Sequence, residues 1–109
     1  MDESKFSQLA QAELAAIEAA IEAAITRADA DCDVQMSAGG ILEVELEDGA
    51  KVVINQHAAM QEIWLAARTG AHHFRPEGGR WIDTRDGQDL RAVLTHVLRT
   101  LSDGELVVF

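Results

Sequence analysis

Phe6, Ala10, Leu14, Ile17, Ile21 and Ile25 recur three and four residues apart, with no Gly or Pro between residues 4 and 30. Apolar positions at that spacing share one face of a helix, so the pattern predicts a long amphipathic helix over 4–27. Gln11, Glu18, Glu22 and Asp29 follow one another at intervals of 7, 4 and 7. They fall on one stripe beside the apolar face if the helix runs that far.

From Asp29 the period changes to two. Asp29, Asp31 and Asp33 alternate with Ala30, Cys32 and Val34, which in an extended chain places the three carboxylates on one face. Ile41–Glu47 repeats the alternation, with Leu42, Val44 and Leu46 inward and Glu43, Glu45 and Glu47 outward. The Asp48-Gly49 turn that follows allows two registers. A two-residue loop sets Glu45 opposite Val52 and mixes the faces. A three-residue loop, Glu47-Asp48-Gly49 with Gly49 left-handed, sets Val44 opposite Val52, Leu42 opposite Ile54 and Glu45 opposite Lys51, and is preferred.

Short strands are expected near Glu62–Ala66, His72–Arg75 and Arg80–Asp83, separated by Thr69-Gly70, by Pro76-Glu77-Gly78-Gly79 and by Arg85-Asp86-Gly87. Leu90, Val93, Leu94, Val97, Leu98 and Leu101 mark a second amphipathic helix, with Asp86 or Asp89 at its start and Gly104 at its stop. The tail Leu106-Val107-Val108-Phe109 is apolar enough to pack against a helix. No linker or repeat interrupts the order of helix, about six strands and helix, so residues 1–109 read as one α+β domain. The expected form is a two-layer sandwich, an antiparallel sheet of about six strands with the N- and C-terminal helices on one face.

Charge gives this outline a polarity. The chain carries 19 acids and 9 bases, a formal net charge of −10 over 109 residues. Residues 1–50 hold 12 acids and 2 bases, whereas residues 51–109 hold 7 of each. A negative field of that kind repels nucleic acid and anionic lipid, and attracts cations or a basic protein surface. No apolar run reaches the roughly 20 residues of a membrane span, and the start lacks the basic-then-apolar form of a signal peptide. A cytoplasmic protein is expected. One cysteine, Cys32, excludes an internal disulfide and, without a Cys/His cluster, a zinc site.

No nucleophile elbow, phosphate loop, dinucleotide fingerprint or zinc-protease motif occurs. His72 and His73 are adjacent in a predicted strand and point to opposite faces, so they cannot chelate one ion together. Cys32, flanked by Asp31 and Asp33, has its thiolate disfavoured by the acidic field. The protein is therefore not expected to be an enzyme. The carboxylates are the better candidates: Glu18, Glu22, Asp29, Asp31 and Asp33 can form a ridge of oxygen ligands across a helix end and an edge strand. Such a surface suits hard cations, iron, manganese, magnesium or calcium, held weakly because water keeps most coordination positions. Glu18 and Glu22, at i and i+4, repel by roughly 0.2–0.5 kcal/mol unless a cation lies between them.

A second candidate surface surrounds Trp64. Ile63 and Leu65 already supply the core face of their strand, which sends Trp64 to the open face of the sheet. An exposed tryptophan rimmed by Asn55 and His57 reads as a protein-binding hot spot.

Asn55-Gln56, Ile63-Trp64-Leu65-Ala66, Gly70-Ala71-His72-His73-Phe74 and Trp81-Ile82, after an acidic first helix and Gly39-Gly40-Ile41-Leu42, resemble the bacterial members of the frataxin family. The resemblance covers nearly the whole chain. It implies a helix–sheet–helix sandwich and binding of ferrous and ferric iron by the acidic ridge. It also implies contact with the cysteine desulfurase and scaffold protein of iron–sulfur cluster assembly, with modulation of cluster formation. By position the ridge residues are Glu18, Glu22, Asp29, Asp31 and Asp33, and the partner-facing sheet residues are Asn55, His57, Trp64 and His73. A monomer is expected. An iron chaperone or store with ferroxidase activity is the alternative, although no enclosed Glu-x-x-His di-iron set is present. Two departures from the family pattern bear on the site. Ala19, Ala20, Ala23 and Ala24 stand where further acids would be expected, which implies fewer or weaker iron sites, and Gln35–Ala38 lengthens the first hairpin.

Overall fold

The computed structural model describes residues 1–109. Helix α1 spans Glu3–Ala28 and opens on Asp2, whose carboxylate accepts the Lys5 N–H at 2.7 Å. Such a cap satisfies one of the four unpaired N–H groups at a helix start. Phe6, Ala10, Leu14, Ile17 and Ile21 form its buried stripe as the spacing predicts. The last buried position is Ala24 rather than Ile25, which is half-buried.

The six strands are β1 (Asp33–Ser37), β2 (Ile41–Glu45), β3 (Lys51–His57), β4 (Glu62–Ala67), β5 (Gly70–Glu77) and β6 (Arg80–Asp83). They form one antiparallel sheet in the order β1-β2-β3-β4-β5-β6, a meander in which every strand pairs with its neighbour in sequence. Between β2 and β3, Val44 faces Val52, Leu42 faces Ile54 and Glu45 faces Lys51. Leu46 and Ala50 close a three-residue loop through a 2.8 Å bond, with Gly49 at φ +87°. The side-chain argument for that register thus matches the structure, as does the positive φ that glycine supplies at low steric cost.

Strand β5 runs longer than expected at both ends and includes Pro76 and Glu77. Pro76 lies beyond the β4 ladder, where only β6 remains as a neighbour, a position that tolerates a missing N–H. Helix α2 spans Leu90–Leu101, and its cap is Asp89, whose carboxylate accepts from Arg91 and Ala92 at 3.0 and 3.4 Å. Asp86 instead binds the Gln88 N–H within the preceding turn. The helix stops at Leu101, before Gly104, as Ser102 caps it and Asp103 takes a left-handed φ of 57°.

Both helices lie on one face of the sheet, and 23 buried apolar residues join the layers into a single core. Trp81 packs edge-on against Phe6 at 5.9 Å. The tail is held as expected. Leu106 and Val108 are buried, Arg27 of α1 donates to the Val107 carbonyl at 2.9 Å, and the Arg91 guanidinium of α2 lies 4.6 Å above the Phe109 ring. Arg91 also reaches across to Glu13 through two 3.0 Å bonds, tying the helices together. No helix is long and apolar enough to cross a membrane.

Candidate functional site

The acidic ridge forms, with a different backbone from the one the period-two pattern suggested. Asp29 is not part of a strand. Nothing in Ala23-Ala24-Ile25-Thr26-Arg27-Ala28 breaks the helix, so it continues to Ala28 and Asp29 turns the chain in the left-handed conformation (φ 51°), its N–H reaching Ile25 and Thr26 carbonyls. Of the three aspartates only Asp33 lies in β1; Asp31 sits in the connecting segment. Accessibility nonetheless alternates. Asp29, Asp31 and Asp33 are exposed, while Ala30, Cys32 and Val34 are partly buried. On α1, Glu22 is exposed and Glu18 half-buried.

None of the eight ion pairs in the molecule includes Glu18, Glu22, Asp29, Asp31 or Asp33. The nearest base in sequence, Arg27, is committed to the Val107 carbonyl. The ridge also extends further than the sequence pattern showed. In the β1–β2 register Asp33 stands directly opposite Glu45, so like charges meet across the pair, and Glu45 is in turn opposite Lys51. Lys51 bonds Glu43 at 3.2 Å, which leaves Asp33 without a counter-charge. Like charges at such positions destabilise a sheet pair. All the ridge donors are carboxylate oxygens, suited to hard cations. No three of the molecule's His, Cys, Asp and Glu side chains converge as a metal-binding group, so an ion on the ridge would keep much of its water.

Cys32 lies at the margin of this ridge. Burial, followed by the charges of Glu105, Glu47 and Asp31, pushes its thiol above the usual value, and a backbone hydrogen bond at Glu47 opposes them only in part. A thiol kept protonated is a poor nucleophile and a poor metal ligand.

The open face of the sheet carries the second surface. Asn55, Trp64 and His73 are successive cross-strand partners on β3, β4 and β5, and His57 is two residues further along β3 on the same face, opposite Glu62. Trp64 does face away from the core. It is half-buried rather than freely exposed, because His57 and His73 stack on its two faces, at centroid distances of 4.1 and 4.2 Å and interplanar angles of 12° and 9°. The indole edge and the outer histidine faces, not the tryptophan faces, are therefore what a partner meets.

Glu62 was missing from the sequence-based set. It alternates onto the open face, yet its residue exposure is only 3%. Its carboxylate accepts the Trp64 indole N–H at 2.8 Å and the Arg75 Nε–H at 3.0 Å, with the His73 Nδ1 3.8 Å away. That network fixes the orientation of the indole within the stack. The signal available in the sequence was the Glu62-x-Trp64 spacing, which places a carboxylate on the same strand face as the indole. Asp83 was missed likewise. Its carboxylate is excluded from solvent and meets His72 Nδ1 at 3.0 Å and the Arg85 N–H at 2.8 Å. Burial alone would raise its pKa, but the Arg85 N–H, the His72 hydrogen bond and the charges of His72 and Arg85 outweigh it and hold the carboxyl below its ordinary value.

A helix, a six-stranded meander and a second helix in two layers define a frataxin-like α+β sandwich. The family model described as a frataxin-like domain matches residues 1–103, and the chain belongs to the frataxin family. A relative from Cupriavidus taiwanensis, named iron-sulfur cluster assembly protein CyaY, is 52% identical over 95 residues, covering 87% of this chain and 85% of its own length. A protein of the same name from Dechloromonas aromatica is 44% identical over 108 residues, covering 99% and 98%. Among solved structures, the frataxin of Psychromonas ingrahamii superposes with a TM-score of 0.81 at 28% identity over 100% of this chain and 99% of that one. A yeast frataxin described as trimeric superposes at 0.75 and 28% identity over 87% and 79%.

Proposed function

We propose that this protein serves iron–sulfur cluster assembly as an iron-responsive adaptor. In this reading the ridge of Glu18, Glu22, Asp29, Asp31 and Asp33 binds ferrous or ferric iron weakly and docks on a basic surface of the cysteine desulfurase. The open sheet face, with Asn55, His57, Trp64 and His73, lies toward the scaffold protein. The observation that carries the reading is the absence of any internal counter-charge for the ridge, in a molecule that pairs six of its nine bases elsewhere. Uncompensated carboxylates on one edge lower their mutual repulsion when a cation or a basic partner approaches. The relatives' shared name supports the pathway. The dispersed, all-oxygen donor set supports weak binding rather than redox catalysis, so the isolated protein is expected not to oxidise ferrous iron faster than buffer does.

Two measurements test this. Anaerobic titration with ferrous iron, followed by NMR, is expected to shift amides within residues 18–33 and leave α2 unmoved; no shifts at all would remove the metal role. Changing Asp29, Asp31 and Asp33 together to Asn is expected to weaken desulfurase capture at low salt. Unchanged affinity would remove the electrostatic docking. Cluster formation on the scaffold, assayed with and without the protein at two iron levels, is expected to depend on both.

A further inference from the structure

The two edges of the sheet end differently. At β6 the chain covers its own edge: Ile82 bridges to Asp89, and the Asp83 N–H is bonded to the Gln88 carbonyl at 2.8 Å. At the other end β1 pairs only with β2. In an antiparallel pair alternate residues direct N–H and C=O away from the partner strand. No turn, loop or side-chain hydrogen bond of the molecule takes up a backbone group of residues 31–38. The outer side of β1 is thus an open pairing edge.

Beside that edge runs a groove. Two recesses of about 240 and 390 Å³ lie between α1 and β1, the larger reaching on to Gly39, Gly40 and Gln56 of β3. Their strand-side wall carries Val34 and Met36 of β1 with Cys32 just before it, partly buried apolar side chains packed on the core without being enclosed by it. Their α1 wall carries Ile25 with the unpaired carboxylates of Glu18 and Glu22. On the other face of the same strand stands Asp33, opposite Glu45.

We infer that β1 is a strand-addition site. An extended basic segment of a partner protein pairs with the outer edge of Asp33–Ser37, sends alternate apolar side chains into the α1–β1 groove, and sets arginines or lysines against the ridge carboxylates. A strand added to an open edge gains affinity from main-chain bonds and specificity from pockets for every second side chain. The charge of the occupant follows from complementarity: acids on the strand and on the facing helix turn repel an acidic segment, a second copy of this chain included, and favour a basic segment over a neutral one. The inference rests on the proposed docking role only for the partner's charge, since strand pairing needs neither iron nor the desulfurase.

The test uses the full chain and a blocked five-residue peptide alternating arginine and valine. Expected is saturable binding, with NMR shifts in Asp33–Ser37 and on the groove side of α1, and slowed amide exchange along β1. A peptide of the same sequence with alternate backbone nitrogens methylated keeps its charge and side chains but cannot pair, and is expected to bind about tenfold or more weakly. An acidic analogue alternating glutamate and valine is expected not to bind. On the protein side, Val34→Lys is expected to abolish binding, and Val34→Thr, which preserves strand preference, to weaken it. Equal binding of the methylated and unmethylated peptides would overturn strand addition and leave only charge attraction. Shifts confined to the Trp64 face would overturn the site. Unchanged desulfurase capture by the ridge variants, with peptide pairing intact, would instead overturn the proposed docking alone.

Discussion

Glu62→Ala is a sharp test of how the open sheet face is built. The Glu62 side chain is 4% exposed and has two good donors, the Trp64 indole and Arg75, at 2.8 and 3.0 Å. Removing it leaves the indole N–H without an acceptor at a half-buried site, which costs about 1–2 kcal/mol. The Arg75 side chain is 64% exposed and rehydrates when its partner goes, so the ion pair adds no more than about 0.5 kcal/mol after solvent screening. The expected loss is therefore about 2 kcal/mol, or about 8 °C in melting temperature for a domain of this size. Glu62→Gln keeps an acceptor for the indole and gives up only charge, so its expected loss is below about 1 kcal/mol. Urea unfolding gives both numbers, and the Trp64 indole resonance reports whether the stack with His57 and His73 survives. If the Ala and Gln variants are equally stable, or if the Ala variant loses less than about 0.5 kcal/mol, the hydrogen bond does not hold the stack and the reasoning is wrong.

Other outcomes follow from features away from that face. Asp83 has a depressed pKa in the folded state, so its contribution is present above the ordinary aspartate value near ~3.9 and is lost as pH falls through the lower folded value. Asp83→Asn should be less stable at neutral pH and flatten the acid limb of a stability-against-pH curve; an unchanged limb would show that other carboxylates dominate it. Gly40→Ala should destabilise more than Gly39→Ala, by the cost of displacing the Gln56 side chain. Both glycines have positive φ, but a Cβ on Gly40 would lie 2.5 Å from the Gln56 Oε1, whereas nothing lies within 4 Å at Gly39. Equal melting temperatures for the two variants would contradict that contact. Asp33→Lys should raise the melting temperature by giving Glu45 an opposite charge across the β1–β2 pair, while weakening desulfurase capture. Added salt should raise the wild-type melting temperature more than that of the variant, because screening acts over about 10 Å at 0.1 M.

The strands and their facing residues were legible because one side of the sheet is buried and a one-residue slip would invert every side chain. Val44 against Val52 and Glu45 against Lys51 followed from that alone. The two helices were legible from spacing. What escaped was whatever depended on the third dimension around a polar residue. In sequence Glu62 is one more acid at an outward position. Its burial comes from Trp64, Arg75 and His73, brought together only by the β4–β5 register. The histidine stack on Trp64 escaped for the same reason, since His57 and His73 lie on different strands. Asp29 was misplaced because the helix, with no breaker to end it sooner, runs to Ala28 and leaves Asp29 as its left-handed cap rather than as part of an extended segment. The frataxin resemblance supplied iron and the partners; charge and spacing supplied only a place for a cation.

The unbroken strand order also bears on how the molecule folds. Every β-pairing in the sheet joins sequence neighbours through short turns, so each hairpin closes a small loop at low entropic cost. Only the helices need distant parts of the chain. The Glu13–Arg91 contact spans 78 positions and brings α2 against α1. Folding rate is then governed less by building the sheet than by joining the two ends of the chain over it. Substitutions at the Glu13–Arg91 contact are expected to act on whichever rate that joining controls, while substitutions in the β3–β4 and β4–β5 turns change how early the sheet appears.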